Sequence, residues 1–237
     1  MQCKRRPIFI LFFLLMNSGL FIAGCDDKKP AAIAPPSSAS FTFLELGANT
    51  IYSKSIRDRL KDLLGSNSAV TRTPIDLEIN YPGFIEENFQ PLHRFNQLLN
   101  DASGARVEHD TKKLMYRYPQ KKSRLFKSVE LLFSGQSKKP LFFHIVARKE
   151  GSGILETMHE KYGDPEEIKW SRQPGQSYFW QNDMDFLIVS RVLDRFGDPE
   201  YRIAIYYGTN IDELIKSEQR RVQQREDKRK KAGQTAF

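Results

Sequence analysis

The residues that could do chemistry in this chain are few and widely spaced. Asp183 and Asp185 stand two positions apart and could form a carboxylate pair for general acid–base catalysis. Gly151-Ser152-Gly153 resembles part of a nucleophile elbow, but its flanks lack the strand and helix that such an elbow requires. Aspartates at turns commonly bind the local backbone, and a serine before an amphipathic run caps a helix. We therefore expect structural roles for these residues and predict no enzymatic activity.

The histidines share one property, which is that none stands two or four positions from another: His93, His109, His144 and His159. Such spacing does not bring two imidazoles to one side of a strand or helix, so we predict no metal site. We expect His144, in a strand, and His159, on a helix, to be surface or interface residues. The sequence has no phosphate-binding glycine loop, and we predict no cofactor.

Aromatic residues cluster in the C-terminal half of the chain. Tyr178, Phe179 and Trp180 are consecutive, and Trp170 lies one predicted strand earlier. Cross-strand aromatic pairs usually form core, but an exposed sheet face with aromatics is also a typical binding surface. The sequence leaves both interpretations open.

The first 25 residues have the pattern of an export signal. Lys4, Arg5 and Arg6 precede an apolar run from residue 8 to residue 23, which is shorter than the roughly 20 residues of a resident membrane helix. The segment ends in Ile22-Ala23-Gly24-Cys25, which resembles the lipobox of bacterial lipoproteins. The resemblance implies that residues 1–24 are removed and that the Cys25 thiol carries a diacylglyceryl group.

This resemblance accounts for both cysteines and implies a location. Cys3 leaves with the signal and Cys25 is blocked by lipid, so the mature chain contains no thiol for catalysis, metal binding or a disulfide. The lipid places the protein in the bacterial cell envelope, facing the periplasm. In enteric-type lipoproteins, aspartates after the cysteine favour the inner over the outer membrane, and Asp26 and Asp27 occupy those positions.

The organisation of the remaining chain predicts an α+β fold. Residues 25–40 contain the lipidated cysteine and a flexible Pro-, Ala- and Ser-rich tether, residues 41–210 form a globular region, and residues 211–237 a basic C-terminal helix and tail. We predict helices over 54–64, 85–99 and 152–162, with Pro91 as an alternative start of the second. We predict strands over 75–81, 114–118, 129–133, 141–145, 167–171, 176–181, 184–192 and 201–207. Short connections indicate an antiparallel meander, with the helices packed on one face.

The globular region is either one domain or two similar subdomains, 41–150 and 151–210. A short sequence echo between 161–166 and 195–200 is interpreted as two Gly-Asp-Pro turns. A helix that ends in Tyr-Gly-Asp-Pro and is followed by a meander with a tryptophan resembles small periplasmic lipoprotein modules, including envelope-assembly accessory proteins. That resemblance covers about 55 residues.

The formal net charge of +8 is unevenly distributed along the chain. The signal carries three of these charges, and residues 216–231, with eight basic and three acidic residues, carry the other five. This tail has one large aliphatic residue, Val222, and so no apolar face for lipid insertion or a coiled coil. It is either a solvated helical extension or an electrostatic contact made by a set of basic residues: Arg220, Arg221, Arg225, Lys228, Arg229, Lys230 and Lys231.

Together these patterns predict a membrane-anchored bacterial lipoprotein with a non-enzymatic, protein-binding accessory domain. The expected partners are the membrane, through the lipid anchor, and an envelope protein. The tail adds anionic headgroups or a wall polymer, and we expect no nucleic-acid partner because an exported protein does not routinely meet one. The first alternative is a binding module for a small ligand or cell-wall polymer, and a hydrolase is the second.

Overall fold

The computed structural model describes residues 40–101, 103–118, 125–148, 153–171 and 173–235. These residues form five helices: α1 (Lys54–Leu64), α2 (Phe84–Asn88), α3 (Gln90–Leu98), α4 (Gly153–Tyr162) and α5 (Gly208–Thr235). They also form eight strands: β1 (Ser68–Pro74), β2 (Glu108–Arg117), β3 (Phe126–Ser134), β4 (Pro140–Ala147), β5 (Glu166–Lys169), β6 (Gln176–Asn182), β7 (Asp185–Leu193) and β8 (Pro199–Tyr207).

All eight strands belong to one antiparallel sheet. Its order is β1-β2-β3-β4-β8-β7-β6-β5, so two four-stranded meanders meet where β4 pairs with β8. At this junction Phe143 lies opposite Ile205 and Ile145 opposite Ile203. The predicted α+β class, the antiparallel meander and the C-terminal helix are confirmed.

The helices cover both faces of the sheet, and the prediction of helices on one face is wrong. On the first face, α1, α4 and the chain from Phe41 pack against Leu131 and Phe143. On the second face, α2, α3 and the start of α5 pack against Leu132 and Phe142. Because consecutive residues of β3 and β4 point to opposite faces and are apolar on both, each face must be shielded from water.

The predicted strand over 75–81 is an extended segment outside the sheet. Ile75 and Leu77 are buried in the second core, which produces the alternating pattern. The backbone of Leu77 is satisfied by side chains instead of a neighbouring strand: its N–H donates to Asn96 Oδ1 at 3.0 Å, and its carbonyl accepts from the Tyr206 hydroxyl at 2.8 Å. The strand in this region is β1, which ends at Pro74, directly before this segment, and is an exposed edge strand.

The predicted helix over 85–99 is interrupted at Phe89. This residue has φ −135° and ψ 75°, ends α2 and precedes α3, and Pro91 lies in the first turn of α3. A proline lacks the N–H needed in a helix interior, and the second helix therefore begins around it.

Each half of the chain supplies one meander preceded by a helix on the first face, α1 before β1 and α4 before β5. Residues from both halves line both cores, so the halves share one sheet and its packing. The two Gly-Asp-Pro sequences form turns before β5 and β8, where Gly163 and Gly197 have φ of 84° and 85°. This left-handed conformation favours glycine, which explains the shared sequence without a longer repeat.

Candidate interaction surface

The start of α5 is fixed to the domain by its first two turns. Ile211, Leu214 and Ile215 are buried in the second core. The Asn210 side-chain amide donates to the carbonyl oxygens of Ala48 at 2.9 Å and Pro140 at 2.8 Å. The helix therefore leaves the domain in a defined direction.

Asp185, one of the two aspartates considered for catalysis, holds the N-terminus of α5. The backbone N–H groups of Gly208 and Thr209, at the start of α5, lie near its carboxylate and favour the charged form, but the buried Oδ1 has no hydrogen-bond partner. Burial raises the pKa of Asp185 to about 6, against the opposing effect of these two N–H groups. Asp183 lies in the exposed β6–β7 turn with φ 52°. The two aspartates therefore have different environments, and Asp185 lies against the distant start of α5, whereas the sequence predicted local hydrogen bonding at the turn.

Two ion pairs attach the next turns of α5 to the rest of the domain. Lys139 Nζ lies 3.0 Å from Glu213 Oε2. His109, which is buried in β2, places Nδ1 2.8 Å from Glu218 Oε2 and Nε2 2.8 Å from the carbonyl oxygen of Leu99. Burial lowers the pKa of His109, but the hydrogen bond and charge of Glu218, with the Leu99 carbonyl, outweigh it and raise the pKa above its usual value.

Beyond these contacts, α5 continues with exposed side chains. We define the exposed section of α5 as residues 219–232, because every side chain in this range faces solvent. At 1.5 Å per residue these fourteen positions extend over about 21 Å. The section contains seven basic and two acidic residues. The predicted basic helix is confirmed as a helix and is exposed.

The charges of the exposed section are sorted by side. At about 100° of rotation per residue, six basic residues fall within one half of the helix circumference: Arg220, Arg221, Arg225, Lys228, Arg229 and Lys231. We call these six residues the basic half. Glu226 and Asp227 lie on the other half, together with Lys230. The Asp227 carboxylate also accepts a hydrogen bond from Gln223 at 3.0 Å. The basic half is thus free of acidic residues.

The other histidines lie on three different elements. His144, on β4, is partly buried on the second face, with Nε2 3.3 Å from the Tyr206 hydroxyl, and burial lowers its pKa to about 4. His144 is therefore less exposed than the surface position predicted for it, and its hydrogen-bond partner Tyr206 is covered by the extended segment around Leu77. His159 is exposed on α4, with Nε2 2.9 Å from Asp164, as predicted. His93, on α3, bonds Gln97.

Titratable side chains do not gather into a recognisable metal centre in the part of the chain that the structure describes. The serine of the Gly-Ser-Gly motif, Ser152, lies outside that part. Of the candidates for catalysis, Asp183 and Asp185 are both described, and the charge of Asp183 contributes to the raised pKa of Asp185.

The aromatic residues are largely core. Trp180 is buried in the first core, and its indole N–H donates to the carbonyl oxygen of Gly163 at 2.7 Å. Phe179 points to the opposite face and packs edge-to-face on Phe89. Trp170 is partly buried and donates to Ser177 Oγ at 2.9 Å. Of the two interpretations left open by the sequence, the structure favours packing.

The residues that fix α5 to the domain were not predicted from the sequence. His109 and Glu218 are separated by 109 positions, and Lys139 and Glu213 by 74. Because neither pair has a local spacing pattern, the sequence carries no signal for these contacts. The lipobox, Ile22, Ala23, Gly24 and Cys25, and the sorting residues Asp26 and Asp27 lie outside the described residues.

Comparisons with known proteins give no match to this chain: no family model, no curated protein and no solved structure is similar to it. Within the described residues, none of the helices is both long enough and apolar enough to cross a membrane.

Proposed function

We propose that the protein is a lipid-anchored accessory protein of the bacterial cell envelope that acts by binding, without catalysis. The observation that carries the binding function is the exposed section of α5. This helix presents six cations on one half, and its first turns are packed into the domain. Solvent-exposed charge of one sign on a fixed scaffold is suited to recognition of an anionic surface.

The roles of the polar residues support a binding protein over an enzyme. Asp185 lies against the N-terminus of α5, His109 joins β2 to α5, and His144 is kept neutral at neutral pH by burial beside Tyr206. Each of these groups is engaged in holding the fold. In the sheet order, β4 lies two strands from β2 and two strands from β7, or about 10 Å from each. This spacing is too wide for any two of the three groups to act as a hydrogen-bonded acid–base pair.

A second surface favours contact with a protein partner. In the turn between β7 and β8, the side chain of Phe196 is 75% exposed, and that of Leu193, at the end of β7, is 56% exposed. Asp194 Oδ1 accepts from the N–H groups of Phe196 and Asp198, which fixes the turn. The Arg195 guanidinium lies 4.6 Å from the Phe196 ring centroid. Exposed aromatic and arginine side chains are typical of protein interfaces.

Anchoring is tested by the fate of Cys25. Cells fed a labelled fatty acid should yield a labelled protein in the membrane fraction. The Cys25→Ala variant should be unlabelled and should leave that fraction. A variant that stays labelled, or a wild-type protein that takes up no label, would rule out the lipid anchor.

Sorting between the two membranes is tested at Asp26 and Asp27. Replacing both with serine should move the anchored protein from the inner to the outer membrane, as fractionation on a density gradient would show. Unchanged sorting of the double variant would remove the assigned role of these two residues.

A further inference from the structure

We propose that the exposed section of α5 lies along anionic phospholipid headgroups, with its basic half on the bilayer surface. This inference rests on the proposed function and names the partner of the same helix. It implies two contacts with the membrane, one through the lipid at Cys25 and one through α5.

The composition of the basic half argues against insertion into a protein groove. A helix that docks in a groove presents apolar anchors at positions i, i+3 or i+4, and i+7. The corresponding positions of α5 are Arg221, Arg225 and Lys228. Val222, 54% exposed, is the one large aliphatic side chain between residues 216 and 231. A contact made here depends on charge.

The same composition fits the headgroup layer. Basic side chains near an anionic bilayer each contribute to binding, and they need no burial of apolar surface. A helix without an apolar face stays at headgroup level and does not enter the acyl chains. The six cations are distributed from Arg220 to Lys231, over about 17 Å of helix axis, so they can contact several lipids at once.

The position of the acidic residues supports one defined orientation. Glu226 and Asp227 lie on the half of the helix opposite Arg221 and Arg225. With the basic half on the membrane, Glu226 points away from the headgroup phosphates, and Asp227 lies at the side of the helix beside Arg220 and Lys231. The opposite orientation would place them against like charge.

Amide hydrogen exchange on the full chain, reconstituted into vesicles, tests this proposal. One set of vesicles contains phosphatidylethanolamine and phosphatidylglycerol, and the other contains phosphatidylcholine alone. We expect the amides of residues 219–232 to exchange at least about tenfold more slowly on the anionic vesicles, because an exposed helix end otherwise opens readily. High salt should remove the difference. Exchange in the sheet serves as the internal reference.

Matched variants locate the effect on the basic half. In R221Q/R225Q/K228Q the slowing should disappear, since three cations are lost while glutamine preserves helix propensity. In K54Q/R57Q/K61Q, which removes three exposed cations from α1, the slowing should remain. A loss of slowing in both variants would show that net charge, and not the basic half, is responsible.

Equal exchange on both vesicle types would overturn the headgroup proposal. If slowing then appears only when solubilised envelope proteins are added, α5 binds an acidic protein, and the proposed binding function remains. If neither addition has an effect, both proposals fail.

Discussion

Nδ1 of His109 lies 2.8 Å from Oε2 of Glu218, and this contact joins strand β2 to the point where α5 leaves the domain. Nε2 of the same imidazole lies 2.8 Å from the carbonyl oxygen of Leu99. A carboxylate and a carbonyl are both acceptors, so both ring nitrogens must carry a proton to satisfy them. The structure therefore favours the charged form of a buried histidine.

This contact predicts a pH-dependent attachment of α5. A raised pKa in the folded state contributes stability that is complete below the unfolded value near 6.5 and is lost as the pH rises through the folded value. We expect wild type to lose about 1–2 kcal/mol of unfolding free energy relative to Glu218→Gln between pH 6 and pH 9. Urea unfolding across this range measures the difference.

The control for this prediction is Glu213→Gln. Its partner, Lys139, lies 3.0 Å away, and no histidine takes part in this ion pair. The difference between wild type and this variant should change little with pH. If the unfolding free energies of wild type and Glu218→Gln change in parallel with pH, His109 is neutral in the folded protein.

Asp185 predicts a pH dependence at lower pH. Because burial raises its pKa to about 6, the folded protein holds this proton more tightly than the unfolded chain does. The associated stability is complete below pH 4 and is lost as the pH rises through 6. Asp185→Asn keeps an oxygen that can accept from Gly208 and Thr209 without carrying charge. We expect it to gain up to about 3 kcal/mol over wild type between pH 4 and pH 7. Urea unfolding at pH 4 and pH 7 measures this gain. If the difference in unfolding free energy between the variant and wild type is the same at both pH values, the prediction is contradicted.

Gly208 is predicted to be required at the junction of β8 and α5. A Cβ at this position would overlap the carbonyl oxygen of Met184, which belongs to the β6–β7 turn. We expect Gly208→Ala to cost about 2–3 kcal/mol, because backbone on both sides must shift. Gly153→Ala is the matched control, since a Cβ there comes no closer than 3.7 Å to Glu156 Oε2. Equal stability of the two variants would remove the steric argument.

Local pattern is sufficient to predict much of the fold. The helix α1 and the β3–β4 hairpin follow from short-range spacing of apolar residues, capping residues and turn residues. The same rule misassigns 75–81, because an extended segment lying flat on a sheet face buries alternate residues just as a strand does. The sequence prediction also missed the coverage of both faces, although β7 is apolar at four consecutive positions, Phe186 to Val189.

The charge of the interaction surface can be predicted from the sequence, but the contacts that hold α5 in place cannot. The excess charge of residues 216–231 and its helical spacing are visible in the sequence. What makes this charge a projecting surface is the fixation of the preceding turns by Asp185, His109 and Lys139. These contacts arise between residues distant in the chain, and they depend on the register of strands that the sequence does not specify.

Binding through the basic half of α5 is tested most directly by photocrosslinking in intact membranes. A photoreactive residue in place of Gln224 lies on the same side of α5 as the basic half and faces solvent. The reference position is Lys61, an exposed residue in the last turn of α1. Each protein is irradiated in the membrane fraction, and its adducts are identified by mass spectrometry.

We predict an adduct from position 224, with phospholipid or with an envelope protein, and none above background from position 61. The adduct from position 224 should disappear in the R221Q/R225Q/K228Q background and persist in K54Q/R57Q. An adduct that is unchanged by the loss of Arg221, Arg225 and Lys228, or equal adducts from both positions, would contradict binding through the basic half of α5.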